Sequence, residues 1–171
     1  MQAKSMGETE RMGCLFAVFR FLGFGDEEAS EVPSLPYEQN PEFLTKAERS
    51  FFGVLQQAVA GRYHIFVKVR LADLLTVRSG AEKWQSHFNR IQSKHIDFVL
   101  CDMEQIAPLL AVELDDKSHQ RRKRQQRDAF LEEALAAANF SLLRIPVRTS
   151  YNVGQLRQQI EECILDENNG H

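Results

Sequence analysis

The sequence predicts an α/β fold in which a mixed β-sheet is flanked by helices on both faces. Residues His95–Cys101 and Pro108–Leu114 both have strand patterns, and the short polar connector between them predicts an antiparallel hairpin. A long helical segment and a further strand, Phe140–Val147, follow the hairpin. A hairpin that continues into a helix and another strand is typical of a mixed sheet with helices packed on it.

Each element follows from a local pattern. Helices are predicted where apolar residues recur at helical spacing, and strands where apolar runs are short and bounded by turn residues. Asn139 is a suitable end for the long helix, because asparagine tolerates the left-handed conformation found there. The predicted elements, apart from the hairpin, are a helix Thr45–Ala60, a strand Tyr63–Val69, a helix Ser118–Ala138, the strand Phe140–Val147 and a last helix through Val153, Leu156, Ile160 and Ile164.

The segment Leu71–Ser93 is an insertion between the first strand and the hairpin. Its length and its aromatic residues allow a flap over a substrate. Packing of Trp84 and Phe88 against the rim of the core is the commoner arrangement for such residues. The pattern does not decide between the two.

Composition agrees with one compact domain. The chain has 171 residues, of which 43% are hydrophobic. Its three cysteines are widely spaced and odd in number, which indicates neither a disulfide framework nor a zinc knuckle and favours a reducing, cytoplasmic setting. We divide the chain into an N-terminal apolar segment with an acidic linker (1–36), a folded domain (37–166) and a C-terminal tail (167–171).

The apolar stretch Met12–Phe24 is too short to span a membrane, which takes about twenty residues, and Arg20 interrupts it. We therefore expect no transmembrane span. Two interpretations stay open: an amphipathic helix in peripheral contact with a membrane or a partner, and a segment that packs back on the domain, which is the default.

Carboxylates on the hairpin are the main functional signal. Glu113 follows a nearly continuous apolar run, and Asp97 lies between Ile96 and Phe98. Since side chains alternate along a strand, Glu113 and Asp115 share one face, and Asp97 faces the same way if its neighbours pack into the core. A buried carboxylate must be paired or must coordinate a metal. The sequence therefore predicts a metal-ion site.

The residues Ile96-Asp97-Phe98-Val99-Leu100-Cys101-Asp102, followed by Ala111-Val112-Glu113-Leu114-Asp115-Asp116-Lys117-Ser118-His119, resemble a known family. The chain is similar, from about Tyr37 to Ile160, to the domain-of-unknown-function family 2726. That family resembles a branch of the PD-(D/E)XK nuclease superfamily, close in its motifs to very-short-patch-repair endonucleases. The resemblance implies a restriction-endonuclease-like fold and cleavage of DNA.

By this resemblance, Asp97, Glu113 and the main-chain carbonyl of Leu114 would hold a divalent cation. Hard oxygen ligands suit Mg²⁺ or Mn²⁺ better than zinc. The cation would polarise the scissile phosphate and lower the pKa of an attacking water.

This chain departs from the superfamily at Asp115, where a lysine is usual. An acid cannot supply the positive charge of a lysine, so another group must, or the site is inactive. His119 is the first substitute because it titrates near neutrality, and Lys117 is the second.

Several of these residues also have structural interpretations. Asp97 can cap a turn or pair with Lys94 or Arg144, Asp115 can begin a helix, and His119 can be a surface residue. Arg144, in the predicted last strand, is suited to pair with an acid such as Asp128.

Glu48 has two open roles. Thr45 and Glu48 have the spacing of a capping box, in which the glutamate reaches back to the helix start. In the superfamily that this chain resembles, an acid from the first helix often joins the metal site. We keep Glu48 as both a cap and a candidate catalytic residue.

A basic run follows the hairpin. Such a run is usually a solvated helix face, but beside a nuclease site it can hold a phosphate backbone. Lys68, Arg70 and Arg78 are placed to approach from the other side. The net charge of −3 predicts no broad basic field, so any DNA contact is local. The expected phosphate-binding residues of the run are Lys117, Arg121, Arg122 and Arg124.

Three hypotheses follow. The first is a metal-dependent phosphodiesterase acting on DNA, with Glu48, Asp97, Glu113, Asp115 and His119 at its centre. The second is a catalytically inactive module of the same fold that binds nucleic acid or a protein partner. The third is a membrane-surface or scaffold protein that works through its apolar N-terminus.

Overall fold

The computed structural model describes residues 35–115 and 122–168. The chain divides between Pro41 and Glu42, and every helix and strand described belongs to the unit that begins at Glu42. The described helices are α1 (Lys46–Val59), α2 (Leu71–Leu74), α3 (Trp84–Gln92), α4 (Arg122–Ala137) and α5 (Val153–Asn168), and the strands are β1 (His64–Arg70), β2 (His95–Cys101), β3 (Pro108–Asp115) and β4 (Leu142–Pro146).

The four strands form one mixed sheet in the order β1-β2-β3-β4. The first three strands pair antiparallel, and β4 pairs parallel to β3 after the crossover through α4. A parallel neighbour needs such a crossover, because a short turn can join antiparallel strands only. The predicted α/β class and mixed sheet are confirmed.

The β2–β3 turn is held by one side chain. The carboxylate of Asp102 accepts main-chain N–H bonds from Glu104, Gln105 and Ala107, at 2.8, 2.6 and 2.7 Å. These bonds satisfy donors that no strand partner reaches. The predicted hairpin is therefore built on an aspartate-centred turn.

Helices cover both faces of the sheet. Phe98, Leu100, Leu110 and Val112 belong to a first core cluster with residues of α1 and α5. The intervening residues Val99, Cys101 and Ala111 belong to a second cluster with residues of α2, α3 and α4. The predicted placement of helices on both sides follows from this alternation.

The ends of the helices agree with their sequences. Thr45 and Glu48 form the predicted capping box at the start of α1. Asn139 follows α4 with φ 52°, in the left-handed region that ends helices. The predicted beginning of α4 near Ser118 lies outside the described residues.

The insertion between β1 and β2 contains α2 and α3. Phe88 packs against the second core cluster, as the rim interpretation expects, whereas Trp84 is 43% exposed. Among the described helices, none is long and apolar enough to cross a membrane. Met12–Phe24 lie outside the described residues, so their role stays a prediction.

Candidate active site

Four charged residues form a row across the sheet, one on each strand. The pairs on either side of Lys68 set it opposite Asp97 on β2. Continuing the β2–β3 register sets Asp97 opposite Glu113, and Glu113 pairs with Arg144 on β4. The two central strands of the row thus carry acids, and the two edge strands carry cations.

Strand β2 leaves the regular ladder with β1 and with β3 at this row. Lys68 has φ 55°, and it and Asp97 form no ladder pair although their neighbours do. Ile96 packs in the second core cluster and Phe98 in the first, although residues two apart on a regular strand face the same side. The regular alternation of side chains along β2 is therefore interrupted at Asp97. The expectation that Ile96 and Phe98 share a face was wrong, because a left-handed residue in β1 interrupts the regular pleat.

Side chains replace the missing ladder bonds between β2 and β3. The Asp97 main-chain N–H donates to Oε1 of Glu113 at 3.1 Å, and the Leu114 N–H donates to Oδ2 of Asp97 at 3.0 Å. Each acid is therefore fixed to the opposite strand. The predicted convergence of Asp97 and Glu113 is present, although the bonds that cause it were not foreseen.

Lys68 reaches across the parted strands to two acids. Its Nζ lies 2.5 Å from Oε1 of Glu48 and 3.3 Å from Oδ1 of Asp97. Asp97 thus pairs with Lys68, and not with Lys94 or Arg144. Arg144 instead forms an ion pair with Glu132 on α4, with Nε and Oε1 2.7 Å apart. The sequence suggested an acid such as Asp128 as the partner of Arg144, and the side chain of Asp128 lies outside the described residues.

Glu48 forms the predicted cap, and its second carboxylate oxygen lies at the candidate site. Its Oε2 accepts the Thr45 N–H at 2.9 Å, while the Glu48 N–H donates to Oγ1 of Thr45 at 3.3 Å. The other oxygen, Oε1, faces Lys68. Since Glu48 is buried, the helix cap also fixes where its charge points.

Burial and charge oppose each other in this cluster. Burial raises the pKa of Asp97 above its usual value, although the Leu114 N–H and the Lys68 charge act to lower it. Burial alone would raise the pKa of Glu48, but hydrogen bonds from Lys68 and Thr45 lower it overall. Burial would lower the pKa of Lys68, but its bonds to the acids raise it. Lys68 is thus held protonated.

Two cavities meet at these residues. The larger, about 560 Å³, is lined by Lys68, Asp97 and Glu113, by Glu48 and Asp115, and also by Leu114 and Arg144. The smaller, about 250 Å³, shares Lys68, Asp97 and Glu113 and adds Lys94 and Leu131. His95 lines both. Solvent space therefore reaches the row of charges from more than one direction.

The structure brings together Glu48, Asp97, Glu113, Leu114 and Asp115 of the predicted site. Lys117, His119 and Arg121 lie outside the described residues, as do the side chains of Arg122 and Arg124 on α4. Sequence reasoning expected Lys68 to contact phosphate and missed its contacts with the acids. A lone lysine between Val67 and Val69 in an apolar strand was the available signal.

The donors fit a hard divalent cation in their chemistry. Asp97 and Glu113 bring carboxylates to one cavity, and Mg²⁺ is often held by one or two carboxylates completed by water and substrate phosphate. Over residues 35–115 and 122–168 no group of three or more His, Cys, Asp or Glu forms a metal site. A two-carboxylate site is thus the kind of site that the described residues can supply.

A search of curated proteins and a search of solved structures each found no match. A family model described as a protein of unknown function (DUF2726) matches residues 40–164, which is more than half of the chain. The similarity predicted from the hairpin motifs is confirmed at the level of this family. The chain belongs to the DUF2726 family.

Proposed function

We propose that the protein is a divalent-metal-dependent phosphodiesterase that cleaves DNA, with the restriction-endonuclease-like architecture of the PD-(D/E)XK superfamily and similarity to very-short-patch-repair endonucleases. The observation that carries the proposal is the meeting of Asp97 and Glu113 where β2 and β3 part, at a cavity open to a ligand. Two carboxylates held together at a cavity are suited to bind a divalent cation in addition to the Lys68 ammonium that contacts Asp97.

Asp97, Glu113 and the Leu114 carbonyl would hold Mg²⁺ or Mn²⁺. When bound, the ion would polarise the scissile phosphate and lower the pKa of an attacking water. The bonds that Asp97 and Glu113 accept from the opposite strands fix one oxygen of each acid, which orients the carboxylates before substrate arrives.

Lys68 is our candidate for the positive charge that Asp115 cannot supply. Because its contacts with Glu48 and Asp97 keep it protonated, Lys68 supplies the fixed positive charge that an acid at position 115 cannot. Such a charge stabilises a phosphate as negative charge develops on it. Glu48 positions the ammonium, and His119 stays the candidate for proton transfer.

One observation favours the second candidate, an inactive module of the same fold that binds nucleic acid or a protein partner. The Lys68 ammonium already pairs with both Glu48 and Asp97, so each of these acids has a cationic partner without a metal. A site of this kind can keep its fold and its basic helix without turnover.

Cleavage of supercoiled plasmid and of single-stranded DNA, with Mg²⁺ or Mn²⁺, tests the proposal. The unmodified protein is expected to nick or fragment DNA, and Glu113→Ala or chelator to lower the rate by about a hundredfold or more. Glu104→Gln is the matched control, since Glu104 is an exposed acid on the hairpin turn outside the site. Metal-independent cleavage, or full activity of Glu113→Ala, would reject the proposal.

A further inference from the structure

Helix α3, which ends just before residues that line the smaller cavity, has an exposed surface. Ile91 is its buried residue, at 6% exposed, and Phe88 is partly buried against the second core cluster. The other residues of α3 are exposed. A helix that presents most of its surface is available to a partner.

An aromatic stack stands at the start of this surface. Trp84 stacks on Phe88, with ring centroids 5.1 Å apart and an interplanar angle of 9°. Phe88 covers one face of the indole, yet Trp84 is still 43% exposed. The opposite face of the indole is therefore accessible to another flat group.

The same surface is cationic within an acidic chain. Residues 76–95 carry four Lys or Arg and one Glu, whereas the whole chain has a net charge of −3. Arg90 lies over the Phe130 ring at 3.8 Å, which orients its guanidinium. None of Arg78, Lys83 or Lys94 forms an ion pair with a residue in the described ranges. Cations that have no ion pair within the described part of the chain, beside an exposed aromatic ring, suit a polyanion with flat groups.

The exposed surface of α3 is continuous in sequence with the cavity that contains Asp97 and Glu113. Two residues separate the end of α3 from β2, and the second of them, Lys94, lines the 250 Å³ cavity with Asp97 and Glu113. His87 and Arg90, three residues apart, lie along one side of α3, and Lys94 follows two residues after the helix ends. A chain of phosphates lying along that side would arrive at the cavity.

From this juxtaposition of an accessible indole, a group of cations and the cavity, we infer that α3 and its flanking residues bind single-stranded nucleic acid and direct it toward Asp97 and Glu113. The inference that this surface binds nucleic acid is argued from the contacts above. The inference that the bound strand is directed toward Asp97 and Glu113 rests on the proposed function. Trp84 stacks on an unpaired base, while Arg90 and Lys94 hold phosphates. The single strand is favoured over a duplex because a paired base does not offer its face to a side chain.

Trp84 is the single tryptophan of the chain, so its fluorescence reports on this surface alone. We would titrate the full chain with a thymidine oligonucleotide of about twenty nucleotides, and with a duplex of equal length, in chelator to prevent cleavage. The expected result is saturable quenching by the single strand and affinity for it at least about tenfold above that for the duplex. Equal affinity for the duplex, or binding that leaves the fluorescence unchanged, would overturn the inference.

Variants separate stacking from charge when binding is followed by fluorescence anisotropy of a labelled oligonucleotide. Trp84→Ala is expected to weaken binding by about tenfold, and Trp84→Phe, which keeps a ring, to restore most of it. Arg90→Gln with Lys94→Gln should weaken binding and reduce the salt slope by about 1.4, since each phosphate contact contributes about 0.7 for a single strand.

Matched controls lie elsewhere on the described surface. Phe66→Ala removes an aromatic residue of similar exposure, 42%, from β1, and Arg62→Gln removes an exposed arginine near the start of that strand. Both variants should bind as the unmodified protein does. Equal losses in these controls and in Trp84→Ala would overturn the inference.

Failure of the inference and failure of the proposed function give different results. If the protein cleaves DNA in a Glu113-dependent way but Trp84→Ala binds single strands normally, the inference fails and the proposed function stands. If single-strand binding depends on Trp84 and no metal-dependent cleavage occurs, the binding surface stands and the proposed phosphodiesterase fails.

Discussion

Lys68 and Asp97 lie opposite each other on β1 and β2, with the lysine Nζ 3.3 Å from Oδ1 of Asp97. The same ammonium lies 2.5 Å from Oε1 of Glu48 on α1. One cation on the edge strand β1 thus joins the first helix to the central strand β2. Its removal should affect the stability of the fold as well as the site.

Replacing Lys68 by methionine should lower the free energy of unfolding by about 1–3 kcal/mol, because the buried Glu48 loses its charged partner. Urea unfolding at neutral pH measures the change. Arg62→Gln is the comparison, since it breaks an exposed ion pair with Glu161 and should cost less than about 1 kcal/mol. A Lys68→Met protein as stable as the unmodified one would show that the bridge does not stabilise the fold.

The backbone at position 68 gives a second prediction. Lys68 has φ 55°, which costs a residue with a Cβ atom about 1–2 kcal/mol and glycine almost nothing. Lys68→Gly should therefore be more stable than Lys68→Ala by about 1 kcal/mol, although both lack the ammonium. If the alanine variant is the more stable of the two in urea, the left-handed conformation is absent from the folded protein.

Thr45→Ala should lower the free energy of unfolding by about 1 kcal/mol, because α1 loses the hydroxyl that accepts the Glu48 N–H. Thr149→Ala, at an exposed position, is the control and should change it little. Chemical denaturation of both proteins provides the comparison. Equal effects at the two positions would mean that the cap contributes nothing measurable.

The hairpin and its acids were predictable because their signals are local. An apolar run that ends in Glu113, and a polar connector that begins at Asp102, both lie within a few residues of what they determine. The same holds for the α1 cap and for Asn139 at the end of α4. Periodicity and turn chemistry therefore account for most of the sheet.

The contacts of Lys68 were not predictable in the same way. They depend on a left-handed residue in β1 and on the approach of α1, neither of which a period-two pattern records. Assigning Ile96 and Phe98 to one face failed for the same reason. The expectation that an acid on α4 pairs with Arg144 agrees with its ion pair to Glu132, whereas the side chain of Asp128, the acid named from sequence, lies outside the described residues.

Acid should weaken the hairpin turn through Asp102. Hydrogen bonds to its carboxylate, first from Gln105 and then from Glu104 and Ala107, hold the pKa of Asp102 below its ordinary value of 3.8. Because the folded pKa is lowered, the stabilisation is present above pH 3.8 and is lost as the pH falls through the folded value. Asp102→Asn should therefore be less stable than the unmodified protein at pH 7, and this difference should shrink at pH values well below 3.8.

Urea unfolding of both proteins across that range measures the effect. Glu104→Gln, on the same turn, is the control and should not show this convergence at low pH. A stability difference between Asp102→Asn and the unmodified protein that is the same at every pH would contradict the assignment of the stabilisation to the ionised carboxylate.

The central claim is that Asp97 and Glu113 together hold one divalent cation. Titration with Mn²⁺, with the free ion counted by electron paramagnetic resonance, tests it most directly. We expect one Mn²⁺ per chain, lost in Asp97→Asn and in Glu113→Gln and kept in Glu104→Gln. Binding that persists in both site variants, or that is lost equally in the Glu104 control, would contradict the account.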